Sequence, residues 1–528
     1  VTITPTTSFP SALQAFLRSE LRAFHRVPAG DLEAALATPH PADRGTIANA
    51  ISAYLKRIHA PKAALTQAER LRHPDARVVI AGQQAGLLTG PAYTFSKAVN
   101  AIVLARQLDR EDRPVVPVFW VASQDHDTDE VAQTRLLDLQ ETEHILKLEL
   151  PTGRPVGRIR LEPDWLEHCL GVLHAFAAPE EFKRPVLELI ESSASTASSY
   201  AEWFARIISA LLGPHGLVVV DPLTPEFAPL FVPFIERELR NPLAGSQAIE
   251  EAAVRLERQG FAAQLRRPAG STNLFLEGDD GLRRLLRFDG THFFEGTPLH
   301  AAEQVYTCAE LEAILHADPS RLTPAAGLRP TLADAILPSA VSILGPSELA
   351  YQLELLGVYD LHGVPQPLLW PRLSVTWLEP PVQRILARYG LGLNEYMNDP
   401  HGTLERTLMD RSGAAASFRT GLVDLELSFE RLAHNLDPLD PTLERTLERS
   451  RARLMGHIAR LERKIAASLV RLENTAEHQF ERLETHLKPD GVPQERSENF
   501  LSFLMKFGPV ALERLLTLEP HGAQVLEV

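Results

Sequence analysis

Three short strings concentrate the groups that could do chemistry in this chain. The first is Gly82-Gln83-Gln84-Ala85-Gly86-Leu87-Leu88-Thr89-Gly90-Pro91. Glycines four apart let a backbone approach a ligand and turn without a Cβ penalty. Gln83 and Gln84 supply neutral donors and acceptors, Thr89 a hydroxyl, and Tyr93 and Lys97 follow with a phenol and a cation. The string is neither GxGxxG nor GxxxxGK[ST], so it marks neither a dinucleotide fingerprint nor a Walker phosphate loop. The bland alternative is a tight turn with polar caps.

The second string is Ser123-Gln124-Asp125-His126-Asp127-Thr128-Asp129-Glu130, with four carboxylates and a histidine in six residues. Asp125, His126 and Asp127 are the candidate catalytic set: a histidine whose tautomer a carboxylate fixes can act as acid or base. The same three are also metal-ligand types, which leaves a metal-dependent phosphoesterase or nucleotidyltransferase as an alternative. Asp129 and Glu130 could hold an amine or sugar hydroxyls. A solvated acidic turn capping a helix is the competing explanation. The third string is Leu344-Gly345-Pro346-Ser347-Glu348-Leu349-Ala350-Tyr351. Ser347 reads as an N-cap, and Glu348 and Tyr351, three apart, share one helical face. It lacks the GxSxG pattern of a serine nucleophile. Arg329 and Arg372 are candidate clamps for a carboxylate or phosphate. His215 and His362, each beside a glycine, read as loop residues.

Each string must be held by an element. Val78–Ala81 and Val115–Val121 are short, wholly apolar and rich in β-branched residues, as buried parallel strands are. A helical stretch from about Tyr93 to Leu108 lies between them. This strand-loop-helix-strand order opens a doubly wound sheet, whose ligands sit at the carboxyl ends of strands. Leu217–Pro222, Ala340–Gly345 and Pro367–Arg372 predict further strands of that sheet. Residues 1–74 read as an N-terminal helical segment and 75–415 as a Rossmann-like core. Within it, about 136–195 and 241–325 interrupt the series as inserted subdomains. Those stretches carry alternating pieces such as His144–Leu150 and Thr272–Glu277.

Residues 416–490 differ. From Leu443 to Leu487 apolar residues return every 11 positions, at Leu443, Leu454, Ile465, Ala476 and Leu487. An 11-residue repeat predicts a nearly straight or slightly right-handed coiled coil, on the order of 65 Å long at 1.5 Å per residue. Leu422, Leu425, Phe429 and Leu432 form the matching stripe of an earlier helix. Asp437–Pro441 separates the two, so the spacing predicts an antiparallel hairpin whose simplest partner is a second copy of the chain. Residues 491–528 read as a helical segment returning to the core.

Composition bounds the rest. At 528 residues the chain can build two to four structural units. A net charge of −15 argues against a general nucleic-acid binder, which needs clustered Lys and Arg. The two cysteines, Cys169 and Cys308, have no CxxC partner, so no structural zinc site or disulfide framework is expected. No metal is expected at the site. No apolar run reaches the ~18–20 residues of a membrane span. The first residues lack a signal-peptide layout, so the expected compartment is the cytoplasm.

The strings Val79–Thr94, Pro117–Glu130 and Gly345–Tyr351, taken in order, resemble the family of bacillithiol biosynthesis cysteine-adding enzymes. The tail Pro493–Phe500 with Lys506–Pro509 resembles the family's ending. The resemblance implies an α/β fold: a Rossmann-like parallel-sheet core with inserted connecting subdomains and a C-terminal α-helical coiled-coil hairpin that makes a homodimer. It implies a ligase that adds L-cysteine, through its carboxyl, to the amine of glucosaminyl-malate. On that reading Gly82, Gln83, Gln84, Gly86, Thr89, Gly90, Tyr93 and Lys97 bind substrate, with Asp129, Glu130, Ser347, Glu348, Tyr351 and Arg372. His126 or a neighbouring carboxylate takes the amine's proton. Joining a free carboxylate to an amine needs activation, so ATP (leaving as ADP or AMP) is the expected cofactor, in line with the fold's likeness to class I aminoacyl-tRNA synthetases. A coiled-coil interaction protein on a degenerate Rossmann scaffold is the non-enzyme alternative.

Overall fold

The apolar run at Val78–Ala81 lies at the centre of a sheet. The computed structural model describes residues 12–295, 304–436, 443–472 and 474–528. In it five parallel strands assemble: β1 (Arg77–Gln83), β2 (Val115–Val121), β3 (Val218–Val220), β4 (Ser339–Leu344) and β5 (Leu368–Pro371). Their spatial order is β5-β4-β1-β2-β3. β1 pairs with β2 from Arg77↔Val115 to Gln83↔Val121, and with β4 through Ala81↔Ile343. Every residue of β2 and β4 is buried, as expected of parallel strands covered on both faces. Helix α1 (Ala92–Leu108), which links β1 to β2, is itself almost wholly buried. The chain runs outward from β1 to β3, then crosses back to lay β4 and β5 on the other side. That reversal opens a crevice at the carboxyl ends of β1 and β4. Two short helices, α2 (Arg329–Ile336) and α3 (Pro346–Gln352), flank β4 along the chain.

The glycine-spaced loop after β1 closes on itself. A Cβ on Gly86 would lie 2.7 Å from the Gly90 Cα, and Gly90 has φ +68°. The spacing of four therefore lets backbone meet backbone. Leu88 and Thr89 also take positive φ, 49° and 91°. Asn499 holds this strained turn: its Nδ2 donates to the Leu88 carbonyl at 2.9 Å and its Oδ1 accepts from Thr89 Oγ1 at 3.2 Å. Asn499 is fully buried, so those bonds have no competition from water.

Between the strands of the central sheet the chain builds further elements. Gln133–Leu137 and Glu143–Lys147 form an antiparallel hairpin, followed by helices Pro163–Ala175 and Glu180–Ser195. Later, Ser271–Glu277 and Arg283–Phe288 lead a five-stranded sheet of their own. His362 is no loop residue. It ends the helix Leu356–His362, is buried, and its Nε2 lies 2.8 Å from Glu238 Oε1. A partner 124 residues away left no local trace.

A second compact unit comprises Trp377–Gln494, while Glu495–Leu526 belongs with the sheet. The helical unit thus begins before 416. Helices Pro380–Tyr389, Leu393–Asn398 and Pro400–Arg411 join it, and Phe480 packs on Tyr389 and Tyr396 at 5.6 and 6.1 Å. Its long helices are α4 (Ala414–Leu436), α5 (Glu444–Leu472) and α6 (Asn474–Leu487). Arg451 of α5 pairs with Glu426 of α4, and Ile458 lies against Leu422 and Leu425. Rising numbers in one helix meet falling numbers in the other, so the pair is antiparallel. The expected turn at Asp437–Pro441 lies outside the described residues. Along the 11-residue repeat, Leu443 and Leu454 are exposed, whereas Ala476 and Leu487 are buried. No helix among the described residues is long and apolar enough to cross a membrane.

The turn after β1 generates a test. Gly86→Ala forces backbone apart at the Gly86–Gly90 contact and lowers stability by about 1–3 kcal/mol, measured by urea unfolding. An unchanged midpoint would show that the close approach is dispensable.

Candidate functional site

A cleft of about 400 Å³ opens where the crevice was expected. Its axis is an ion pair between a buried lysine and a half-buried glutamate. Lys97 arises from α1 and is 1% exposed, and its Nζ donates to the Gly82 carbonyl at 2.6 Å, to Gln83 Oε1 at 3.1 Å and to Glu348 Oε2 at 2.6 Å. Burial lowers the Lys97 ammonium from its usual range, and Glu348 opposes that shift. Burial would raise the Glu348 carboxyl, but the charge and hydrogen bond of Lys97, the Gly345 N–H and the Arg329 charge together outweigh it and hold the group below its ordinary value. Glu348 also accepts the Gly345 backbone N–H at 2.7 Å. Gly345 is therefore the N-cap of α3, and Ser347, read from sequence as the cap, sits inside the first turn. Pro346 holds the first helical position, which suits proline. Ser347 still lines the cleft.

At one end stands Asp125. Gln84 Nε2 donates to its Oδ2 at 3.1 Å, Arg329 Nη1 lies 3.6 Å from the same oxygen, and the His126 N–H donates to Oδ1 at 2.8 Å. Burial would raise this carboxyl, but Arg329 and Arg283 with the backbone N–H groups hold it below its ordinary value. Tyr351 shares the cleft with Glu348, as their spacing implied, and Arg329 lines the same space. Burial pushes its phenol up to about 12, aided by the Glu348 charge.

The other end is built around Tyr93. Gln83 Nε2 donates to its hydroxyl at 2.9 Å, and the Arg372 and Arg496 guanidinium carbons stand 5.1 and 5.7 Å from its ring centroid. Arg372 is no free clamp. Its two terminal nitrogens donate to both Glu495 oxygens at 2.8 and 2.6 Å. Glu130 lines this part of the surface as well.

Several predicted site residues do not line the cleft. Gly86, Thr89 and Gly90 are spent on the turn that Asn499 holds. Asp127 and Asp129 are exposed beside it. His126 turns to the inserted sheet, where its Nδ1 lies 3.0 Å from Arg283 Nη1 and its ring packs on Phe275 at 5.3 Å. A guanidinium only donates, so Nδ1 accepts and the ring proton sits on Nε2. Burial, then Arg283, lowers the His126 pKa. This ring has no free lone pair to take a proton, which argues against the base role drawn from sequence. The three side chains of Asp125, His126 and Asp127 diverge. Among the described residues no group of three or more His, Cys, Asp or Glu could hold a metal ion, so the metal-dependent alternative finds no support.

The cleft also contains groups that sequence reading passed over. Arg496 lay inside the tail string yet was not singled out. Asp334, in α2, is 2% exposed and its Oδ2 accepts from the Tyr359 hydroxyl at 2.6 Å. Burial drives its carboxyl up to about 7, against the lowering effect of the Tyr359 bond. Gln352 is buried beside it in the lining. In Leu332-Ala333-Asp334-Ala335 nothing distinguishes this aspartate from a surface one; only burial does.

The raised Asp334 carboxyl has a consequence for stability. The folded protein keeps a proton that the unfolded chain releases near the model-peptide value of about 3.9, so stability falls as pH rises from about 4 to 7. Asp334→Asn removes that fall. Its melting temperature exceeds that of the parent at pH 8 and matches it at pH 4; a constant difference across that range would refute the raised carboxyl. For the ion pair, Lys97→Met strands Glu348 and costs about 3 kcal/mol. Adding Glu348→Gln recovers part of that loss in a double-mutant cycle followed by thermal unfolding.

The chain is similar to known proteins over nearly its whole length. Residues 19–373 match the family described as bacillithiol biosynthesis BshC, N-terminal Rossmann-like domain, and residues 375–525 match its C-terminal coiled-coil domain. A Thermus thermophilus protein named "Putative cysteine ligase BshC" is 40% identical over 503 residues, covering 95% of this chain and 97% of the relative. Its namesake from Salinibacter ruber is 31% identical over 496 residues, covering 92% and 89%. A solved structure from Campylobacter jejuni, described as a "putative arginyl t-RNA synthetase", covers 91% of this chain and 100% of its own. At 13% identity and a TM-score of 0.23 that likeness carries no argument. With both domains matched in order, the chain belongs to the BshC family of bacillithiol biosynthesis.

Proposed function

We propose that the cleft joins L-cysteine, through its carboxyl group, to the amine of glucosaminyl-malate, forming bacillithiol. The observation that carries this reading is the mixed charge of the lining: Asp125, Glu130 and Glu348 stand among Arg329, Arg372 and Arg496. Both substrates bear an ammonium and carboxylate groups, and a lining of both signs complements them, whereas a one-signed cleft would repel one end. Asp125, held ionised, suits an ammonium group. Arg329 and Arg496, the cleft guanidiniums with no bidentate carboxylate partner among the described residues, suit a carboxylate or phosphate. The family membership and the ligase names of the relatives support the same reaction class.

Amide formation from a free carboxylate requires an activated acyl group, and ATP would supply that activation. Arg329 and Arg496 are the residues that would meet its phosphates; the lack of a Walker loop is consistent with side-chain cations taking that part. The exposed leucines Leu454 and Leu461 on α5, with Val423 and Leu427 on α4, suit burial against a second copy of the chain. We assign the reaction to the cytoplasm, where a thiol product stays reduced.

Deleting the gene in its host and profiling thiols tests the reaction: glucosaminyl-malate accumulates and bacillithiol disappears. Normal bacillithiol in a strain without a second copy would sink the assignment. A charge-assisted hydrogen bond is worth about 1.5–3 kcal/mol, so Arg329→Ala lowers kcat/KM by about tenfold to a hundredfold. Leu454→Glu with Leu461→Glu converts a dimer to a monomer in sedimentation; an unchanged mass would place the dimer contact elsewhere.

A further inference from the structure

Amide formation needs an acceptor for the proton that the attacking neutral amine sheds as its nitrogen bonds to carbon, and the groups around the cleft differ sharply in their freedom to take it. Asp125 and Glu348 are each tied to a cation, Arg329 and Lys97. Pairing stabilises the ionised form of a carboxylate and weakens it as a base. His126 lies outside the lining with its Nδ1 occupied by Arg283. Glu130 is exposed at the rim, where bulk water competes for any proton it would take.

Asp334 differs from all of these. It lies in the cleft lining, is 2% exposed, and makes no ion pair among the described residues. Its Oδ2 accepts from a neutral group, the Tyr359 hydroxyl, at 2.6 Å. Ala333 and Pro330 of the same helix line the cleft with it, and Arg329 opens that helix. One helix therefore offers an anion-binding guanidinium and a carboxyl to the same space. Gln352, from α3, is buried in the lining, and its Oε1 has no partner among the described residues, which offers a further acceptor for an amine N–H.

We propose that Asp334 accepts the proton of the attacking amine in the ligation step, an inference that rests on the ligase reading above. The amine nitrogen forms its bond to the activated cysteine carbonyl carbon. The bond from that carbon to the phosphoryl-bearing oxygen breaks, and its electron pair leaves with the phosphate group derived from ATP. The amine attacks in its neutral form, its ammonium having first released a proton to solvent, and the proton left in excess on nitrogen once the bond has formed passes to the ionised Asp334. No oxidation or reduction occurs. A carboxyl poised near neutrality is matched to this task, and burial places Asp334 at about 7.

The groups packed around Asp334 leave that titration to itself. Tyr359, from the helix Leu356–His362, is raised well above the ordinary phenol range by burial. Tyr351 on α3 is pushed to about 12. His40, which faces the Asp334 backbone from the N-terminal segment, is lowered to about 4 by burial. Ser339 at the start of β4 is uncharged. Arg329 on α2 keeps its charge throughout. None of them changes charge between about pH 5 and 9.

The test is the pH profile of ligation by the full-length protein with ATP, cysteine and glucosaminyl-malate, read as amide product by mass spectrometry. The parent shows an acidic limb in kcat near pH 7. Asp334→Asn, whose amide mimics the neutral carboxyl, lowers kcat by about 10²-fold or more and abolishes the limb. Tyr359→Phe removes a hydrogen bond that favours the ionised carboxylate, so the limb moves to higher pH by up to about one unit; a purely structural aspartate would not move it. Thermal unfolding at pH 5 confirms that both variants are folded. Infrared difference spectra at pH 6 give a readout apart from turnover: a protonated carboxyl band present in the parent and missing in Asp334→Asn. Amide product with an unchanged limb in both variants overturns the role of Asp334 alone. An absence of amide product from the folded parent overturns the ligase reading and this inference with it.

Discussion

The ion pair between Lys97 and Glu348 is the contact on which the rest of the cleft depends. A doubly wound sheet leaves its crevice open where the strand order reverses, because no covalent connection spans that point. Here Lys97, rising from the helix after β1, crosses it. One ammonium ties the last carbonyl region of β1 to the first turn of the helix after β4. Its three donors are all used, on Gly82, Gln83 and Glu348. Burying an ammonium is costly unless charge and hydrogen bonds both compensate, and this arrangement supplies both. β1 and β4 are already paired by their backbone ladder, and Lys97 adds a tie between the end of β1 and the helix that follows β4, fixing those two walls of the cleft.

Charge in the cleft is arranged in graded degrees of commitment. Arg372 is spent on Glu495 and on the face of Tyr93, and so shapes the wall. Arg329 and Asp125 sit at a looser 3.6 Å, close enough to hold each other ionised and loose enough to part for a ligand. Asp334 has no cation at all among the described residues. The ligation proposed for this cleft, which would hold ammonium and carboxylate groups and also move a proton, calls for both paired and unpaired charges. An active site of uniformly locked ion pairs would bind well and transfer nothing.

The glycine loop shows how a motif can be read correctly in place and wrongly in detail. Its position at the end of β1 follows from the apolar run before it. Gln83 and Gln84 do face the cleft. Gly86 and Gly90, however, serve a backbone-to-backbone approach, and Thr89 bonds to Asn499, 410 residues further on. The acidic string divides in the same way. Asp125 enters the site, while His126 is captured by Arg283 from an insertion 157 residues away. In both strings the residue next to the strand end kept its expected direction, and residues further along were claimed by distant parts of the chain.

By itself the sequence determined what depends on local pattern. The buried parallel strands follow from short apolar β-branched runs, the coiled-coil hairpin from an 11-residue repeat, and the place of the cleft from where glycines and charges follow those runs. These are properties of near neighbours, so they are legible in a string. Tertiary structure alone decided which of the candidate groups are free to act. Arg372 was neutralised by Glu495, His126 by Arg283, and Asp334 was lifted towards neutrality by burial under Tyr359. The reason is that charge state and reactivity are set by desolvation and by partners within a few ångströms, and here those partners arrive from 25 to 157 residues away.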